Sequence, residues 1–188
     1  MDTKTDSMLE ETAIGTERIF EGKMINLRVD TVRLPNGETA TREVIEHPGA
    51  VAVIALTDKD ELLMVRQYRH PTGEILLEIP AGKRDRGESP LVCARRELEE
   101  ETGYGAEQWE PLFSYYSTPG FSDELLYILK ASGLKQGQAH TDEEEFIEVV
   151  TVPVDEALCM VSRGEIRDAK TIIGILTVNR IQDGRSDR

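Results

Sequence analysis

The chain has 188 residues, with 36 acidic and 22 basic side chains and a formal net charge of −14 at pH 7. This length suits one compact domain with a small addition. The negative charge argues against nonspecific nucleic-acid binding, because a phosphate backbone would repel the protein. The longest apolar run, residues 50–56, is about a third of a membrane span, and the acidic N-terminal stretch lacks the apolar region of a signal peptide. We therefore expect neither nucleic acid nor a membrane as a partner.

Two cysteines are present, Cys93 and Cys159. Two thiols cannot build a disulfide framework, so we interpret both as reduced and expect a cytoplasmic protein.

The N-terminal residues predict a small antiparallel β unit. Residues 1 to about 15 lack periodicity and are expected to be loose or weakly paired. Alternating apolar residues in 24–34 predict a strand with one solvated face. Pro35-Asn36-Gly37 then indicates a hairpin turn, and residues 39–46 read as the return strand. A unit of this size, residues 1–46, is too small to be stable alone, so we expect it to pack on the main domain or on a second subunit.

The main domain, residues 47–182 before a short tail of 183–188, predicts alternating strands and helices. Ala50–Leu56 reads as a strand covered on both faces. The remaining elements are predicted as strands near 62–69, 75–79, 112–117, 125–130 and 146–152 and helices near 154–162 and 169–181. The clearest helix runs from Ser89 as N-cap, through Pro90, to a stop at Gly103. We therefore predict the α/β class, with a mixed sheet between helices.

Three carboxylates, those of Glu97, Glu100 and Glu101, lie on one stripe of that helix, beside its apolar stripe. Like charges four residues apart destabilise a helix by about 0.2–0.5 kcal/mol, and the C-terminal end of a helix disfavours anions. An exposed acidic helix face is one interpretation. The other is a site for a hard divalent cation, because Mg²⁺ and Mn²⁺ prefer carboxylate oxygens.

The segment Gly82–Tyr104 resembles the signature of the Nudix hydrolase family. Its matching residues are Gly82, Glu88, Arg96, Glu97, Leu98, Glu100, Glu101 and Gly103, and its departure is Tyr104 at a packing position. Beyond this segment, the chain resembles the ADP-ribose pyrophosphatase subgroup of that family. That likeness rests on Pro119 sixteen residues after Gly103, the N-terminal β unit, Arg42-Glu43, Gln67-Tyr68-Arg69 and the acidic run Asp142 to Glu145.

The resemblance implies a Nudix α/β/α sandwich and a Mg²⁺ cofactor, with Mn²⁺ as the alternative. It implies metal ligands at the Ala81 carbonyl, Glu97, Glu101 and Glu145, and catalytic roles for Glu143, as the base, and Glu100. Whether Glu143 or Glu145 is the base stays open, and an acidic run is ordinarily a solvated turn. Arg96 is expected to hold the carboxylates, and Glu88 either to bind a metal or to pair with a basic loop residue.

Substrate-binding positions are also implied by the resemblance. They are Arg42, Arg69, Lys83, Thr118 and Glu124. An arginine can bind two phosphate oxygens at once, although a structural salt bridge is the alternative for Arg42 and Arg69.

The implied reaction is Mg²⁺-dependent hydrolysis of the pyrophosphate bond of ADP-ribose, giving AMP and ribose 5-phosphate. The implied assembly is a homodimer in which residues 1–46 lie at the interface. Two alternatives remain. One is hydrolysis of another nucleoside diphosphate derivative, such as a nucleotide sugar, a dinucleoside polyphosphate or FAD, and the other is a nucleotide-sensing module without catalysis.

Overall fold

The computed structural model describes residues 8–137 and 146–186. Its strands are β1 Thr12–Glu21, β2 Asn26–Arg33, β3 Thr39–Glu46, β4 Ala50–Leu56, β5 Glu61–Arg69, β6 Glu74–Glu78, β7 Ala81–Lys83, β8 Tyr104–Tyr116, β9 Leu125–Gln136 and β10 Ile147–Pro153. The helices are α1 Pro90–Thr102, α2 Val154–Ser162 and α3 Ala169–Ser186. The chain divides into two compact units. The first comprises Met1–Gly49 and Tyr115–Leu125, and the second the remainder.

The first unit contains an antiparallel sheet in the order β1-β2-β3. β1 begins at Thr12, whose Cα pairs with Arg33 of β2, so the last few of the residues expected to be loose or weakly paired belong to a strand. The sheet pairing, rather than any hydrophobic alternation, orders these residues, because all ten residues of β1 are exposed.

The loop between β8 and β9 also belongs to the first unit. The Ile45 N–H donates to the Phe121 carbonyl at 2.8 Å, and the Asp123 N–H donates to the Ile45 carbonyl at 3.1 Å. The backbone N–H of His47 donates to Asp123 Oδ1 at 2.8 Å. The end of β3 and this loop are therefore joined by backbone hydrogen bonds.

The second unit is built on a mixed sheet with the strand order β10-β5-β4-β9-β8, with β6 paired to β5 and β7 to β4. β4 runs parallel to β9 and antiparallel to β5 and β7. Every residue of β4 is buried, as its continuous apolar sequence predicts for a central strand.

Helices cover both faces of β4. Val51 and Val53 pack in one cluster with Leu98 of α1. On the other face, a Cβ at Gly174 of α3 would lie 3.3 Å from Cγ1 of Ile54. Since successive strand side chains point to opposite faces, the two helices lie on opposite sides of the sheet, and the predicted α/β class with a mixed sheet between helices is confirmed.

Several elements differ in extent from the prediction. β8 begins at Tyr104 rather than near 112, β9 continues to Gln136, and α3 continues to Ser186. The short strand β7 was not predicted. Within the described ranges, no helix is both long and apolar enough to cross a membrane.

Candidate active site

Helix α1 begins and ends where its capping residues predict. The Ser89 side chain accepts a hydrogen bond from the Val92 N–H, and Pro90 occupies the first turn. Gly103 has φ of 72°, a left-handed conformation that costs glycine little, and its N–H donates to the Glu99 carbonyl. These caps set the first and last residues of α1.

Arg96 binds three carboxylates at once, which confirms the predicted role of this arginine. Its Nη1 donates to Glu97 Oε1 at 2.7 Å and to Glu100 Oε2 at 2.9 Å. Its Nε and Nη2 donate to the two oxygens of Glu88 at 3.1 and 3.0 Å. The hydrogen bonds from Arg96 lower the pKa of Glu88 to about 2. The Glu88 carboxylate therefore pairs with this helix residue rather than with a basic residue of the loop.

Gly82 gives the Glu97 carboxylate the space that it occupies. A Cβ on Gly82 would lie 1.9 Å from Glu97 Cδ and 2.1 and 2.2 Å from its two oxygens. The neighbouring Ala81 N–H donates to Glu101 Oε2 at 3.0 Å, and Glu101 is only 6% exposed. Two of the three carboxylates predicted to bind metal therefore lie against adjacent backbone residues of β7.

These residues fit a hard divalent cation. Carboxylate and backbone carbonyl oxygens are the donors that Mg²⁺ prefers, and Mg²⁺ is commonly held by one or two carboxylates with water and substrate phosphates. No group of three Asp, Glu, His or Cys side chains forms a metal cluster in the parts of the chain that the structure describes. The carboxylates of Glu97 and Glu101 and the carbonyl of Ala81 are donors of the preferred kind, and Arg96 offsets the negative charge of Glu97.

Arg69 forms an ion pair with a buried carboxylate in the second unit. Its Nε and Nη2 donate to the two oxygens of Glu78, each at 2.8 Å, and Glu78 is 1% exposed. Burial raises the pKa of Glu78, but hydrogen bonds and charges from Arg69 and Lys170 outweigh it, and the pKa lies below its ordinary value. Hydrogen bonding to Glu78 raises the pKa of Arg69, to which the charge of nearby Glu101 adds.

The structure separates the predicted substrate residues into two groups. Arg69 and Lys83 lie in the second unit, and the Lys83 carbonyl accepts a hydrogen bond from Arg96 at 3.2 Å. The residues Arg42, Thr118 and Glu124 lie in the first unit. There Arg42 Nε donates to Glu11 at 2.9 Å, and Glu124 lies 3.5 Å from His47 Nδ1. Glu143 and Glu145 lie outside the described residues.

Cys93 of α1 packs in the hydrophobic core of the second unit. It is fully buried, and burial raises the pKa of its thiol to about 12. The thiol is therefore protonated near neutral pH and plays no nucleophilic role.

Sequence reasoning missed a polar cluster below the candidate site. It consists of Glu78, Lys170 and Thr171, which come from β6 and the first turn of α3. Glu78 and Lys170 are 92 positions apart, so no spacing rule joins them. The sequence did contain one indication of this cluster, because Glu78 is the single acidic residue in the apolar run 75–79. A buried carboxylate needs a hydrogen-bonding or charged partner.

Comparison with known proteins identifies the class. The family model of the NUDIX domain matches residues 46–173, and the model of the nucleoside diphosphate sugar hydrolase N-terminal domain matches residues 11–45. The chain therefore belongs to the Nudix family.

Individual relatives carry more specific names. An ADP-ribose pyrophosphatase of Bacillus subtilis is 46% identical over 89% of this chain and 91% of its own length. An ADP-ribose pyrophosphatase of Mycobacterium tuberculosis is 42% identical over 91% and 84%. A methanol dehydrogenase activator of Bacillus methanolicus is 49% identical over 89% and 92%. The crystal structure of an ADP compounds hydrolase shares the fold, with a TM-score of 0.84 and 23% identity over 95% of this chain and 97% of that one.

Proposed function

We propose that the protein hydrolyses the pyrophosphate bond of ADP-ribose to AMP and ribose 5-phosphate and requires Mg²⁺. The observation that carries the proposal is the carboxylate group around Gly82 and Arg96, in which Glu97 and Glu101 lie against β7. The names of the two pyrophosphatase relatives support the choice of ADP-ribose.

The chain's own residues have separate tasks in this reaction. Glu97, Glu101 and the Ala81 carbonyl, with Glu145, would hold Mg²⁺. Bound Mg²⁺ neutralises phosphate charge and makes water a better nucleophile. Glu143 takes the proton from the attacking water, a task within reach of a carboxylate, while Glu100 orients the metal-binding carboxylates through Arg96.

Basic and polar side chains bind the diphosphate and the sugar in this proposal. Glu78 binds Nε and Nη2 of Arg69, so a phosphate oxygen would accept from Nη1. We assign Arg42, Lys83, Thr118 and Glu124 to the substrate as well, on the basis of the family resemblance. Because catalysis of this kind depends on position and charge, replacing Lys83 or Thr118 should raise KM for ADP-ribose.

The test is AMP release from ADP-ribose with Mg²⁺ and with a chelator, beside a panel of nucleotide sugars, dinucleoside polyphosphates and FAD. Metal-dependent cleavage of ADP-ribose above the panel is the expected result. Faster cleavage of a panel compound would replace the substrate and keep the chemistry. If nothing is cleaved while nucleotide still binds, the protein is a sensing module.

The Bacillus methanolicus relative supplies a second candidate function, activation of a dehydrogenase. Its 49% identity over 89% of this chain is similar to that of the pyrophosphatases. Adding the protein to methanol dehydrogenase, with and without an E97Q variant, would separate the two. A rate increase that survives E97Q would mean that activation is independent of the hydrolytic site.

We also propose that the protein is a cytoplasmic homodimer in which the first unit forms the interface. Apolar side chains on exposed β1 support this assembly, since Ile19 is 50% exposed and Phe20 55%. The free thiols of Cys93 and Cys159 support the location. An I19K variant should sediment as a monomer. A monomeric wild-type protein would contradict the assembly.

A further inference from the structure

The first turn of helix α3 contacts the strand that leads into the candidate site. Thr171 is fully buried, and its Oγ1 accepts a hydrogen bond from the Ile79 N–H at 2.9 Å. The same hydroxyl donates to Asp168 Oδ2 at 2.6 Å, and this carboxylate also accepts the Thr171 backbone N–H at 2.9 Å. Because its proton and a lone pair are both engaged, the hydroxyl has one orientation, set by the helix terminus.

Lys170 makes a second connection from the same turn. It donates to Glu78 Oε2 and lies 3.0 Å from Asp168 Oδ1, with 13% of its side chain exposed. Among the described residues, no buried side-chain nitrogen or oxygen lacks a hydrogen-bond partner. The ammonium group is therefore part of a paired network around the buried Glu78 carboxylate, which resists displacement because losing a partner leaves that charge buried without compensation.

The helix backbone also approaches the same strand closely. A Cβ on Gly174 would lie 3.1 Å from Ile79 Cδ1, closer than an ordinary van der Waals contact. The end of β6 therefore meets the side chains of the first turn of α3 and the backbone one turn further on.

Four consecutive residues connect this helix to the metal-binding carboxylates. Glu78 and Ile79 are held by α3, and the Pro80 carbonyl accepts a hydrogen bond from the Val53 N–H at 2.8 Å. The Ala81 N–H then donates to Glu101 at 3.0 Å. Proline fixes its own φ, which removes one of the backbone rotations that could absorb a shift at Ile79 before it reaches Ala81.

We propose that Thr171 and Lys170 are positioning residues of the active site, which hold Glu78 and Ile79 and so set where Ala81 meets Glu101. The inference rests on the proposed metal-binding role of Ala81 and Glu101. It makes the C-terminal helix part of the site, although neither residue touches substrate. Partners that orient metal ligands typically change affinity or activity by about 10- to 100-fold when they are removed.

The test compares T171V with T171S in the full-length protein. Valine has nearly the same shape but lacks the hydroxyl, whereas serine keeps it. We would measure Mn²⁺ binding without substrate by electron paramagnetic resonance, and kcat and KM for ADP-ribose in parallel. T171V should bind Mn²⁺ about tenfold more weakly and lose kcat more than it raises KM, and T171S should restore both. K170M should change Mn²⁺ affinity in the same direction, and it takes the place of T171V if that variant does not fold.

V178A is the matched control for lost stability. Val178 is 2% exposed on the same helix, and its apolar side chain forms no hydrogen bond to the segment. Wild-type Mn²⁺ affinity in T171V and K170M would overturn the proposal. So would an equal loss in V178A, because the effect would then follow stability alone. If the wild-type protein binds Mn²⁺ but cleaves no ADP-ribose, the proposed substrate fails while the Mn²⁺ comparison still decides the positioning role.

Discussion

Replacing Gly82 with alanine would put a methyl group into the space of the Glu97 carboxylate. The new Cβ would lie 1.9 Å from Glu97 Cδ, while ordinary contact begins at 3.4 Å. The carboxylate, or the strand beside it, must therefore move by about 1.5 Å, the difference between these distances. A misplacement of about 1 Å can cost about 100-fold in rate. We expect G82A to lower kcat by about 100-fold or more and to weaken Mn²⁺ binding.

The fold should survive this change. Gly82 does not have a positive φ, so alanine is compatible with the backbone, and overpacking typically costs about 1–3 kcal/mol. G105A on β8 is the matched control, because Gly105 also lacks a positive φ and nothing lies within 4 Å of its added Cβ. Steady-state kinetics with ADP-ribose, with circular dichroism and thermal melts, would compare the two. A folded G82A protein with kcat within about twofold of wild type would refute the assignment of Glu97.

Three further predictions concern single carboxylates. E97Q and E101Q should each reduce turnover by orders of magnitude in the same kinetic assay, whereas E99Q on the same helix should not, and normal turnover in the first two would remove them from the metal site. E88Q should be about 1.5–3 kcal/mol less stable at pH 7, since hydrogen bonds to the charged group are lost. The pKa of Glu88 is lowered to about 2 from 4.5, so its contribution is complete above about pH 5 and is lost as the pH falls towards 2. In urea unfolding, the difference in the free energy of unfolding between wild type and E88Q should therefore decrease as the pH falls from about 5 towards 2. A difference that does not change with pH would contradict the pairing of Glu88 with Arg96. E143Q should lower kcat far more than it raises KM, with D142N as control, and an unchanged kcat would place the base elsewhere.

Helix α1 could be predicted almost to the residue because its boundaries depend on local chemistry. Ser89, Pro90 and Gly103 each act within one turn of their own position. The strand β4 was equally predictable, since a short apolar run without polar interruption must be covered on both faces.

Elements whose stability comes from distant pairing were harder to predict. The first residues of β1 gain order from β2, where Thr12 pairs with Arg33, and their own sequence carries no period. β8 begins directly after the helix cap, and its first half reads as polar. Trp109 there lies beneath Arg95, with the guanidinium carbon 5.9 Å from the ring centroid. Contacts of this kind join elements that are separate in the chain, so they produce no sequence pattern with a fixed spacing.

The candidate site likewise combines features that the local sequence predicts with features that depend on tertiary contacts. The stripe of Glu97, Glu100 and Glu101 follows from helix geometry, and Arg96 is placed one turn before Glu100, which it binds together with Glu97. The ion pair of Glu78 with Arg69 and Lys170 does not follow from helix geometry, because it joins β5, β6 and α3 through the fold. The helical spacing therefore predicts which carboxylates lie on one face of α1. The residues that hold the neighbouring strand in place depend on the tertiary structure.

The loop Tyr115–Leu125 has a consequence for how relatives of this protein can be recombined. The N-terminal family match ends at residue 45, which suggests a module that could be exchanged as one piece. The compact unit, however, also includes this loop, whose Phe121 and Asp123 form backbone hydrogen bonds with Ile45. A chimera that exchanges residues 11–45 alone would pair a foreign strand with the resident loop. Transplanting the first unit intact therefore takes two inserts, separated in the chain by residues 50–114, which include the whole of helix α1.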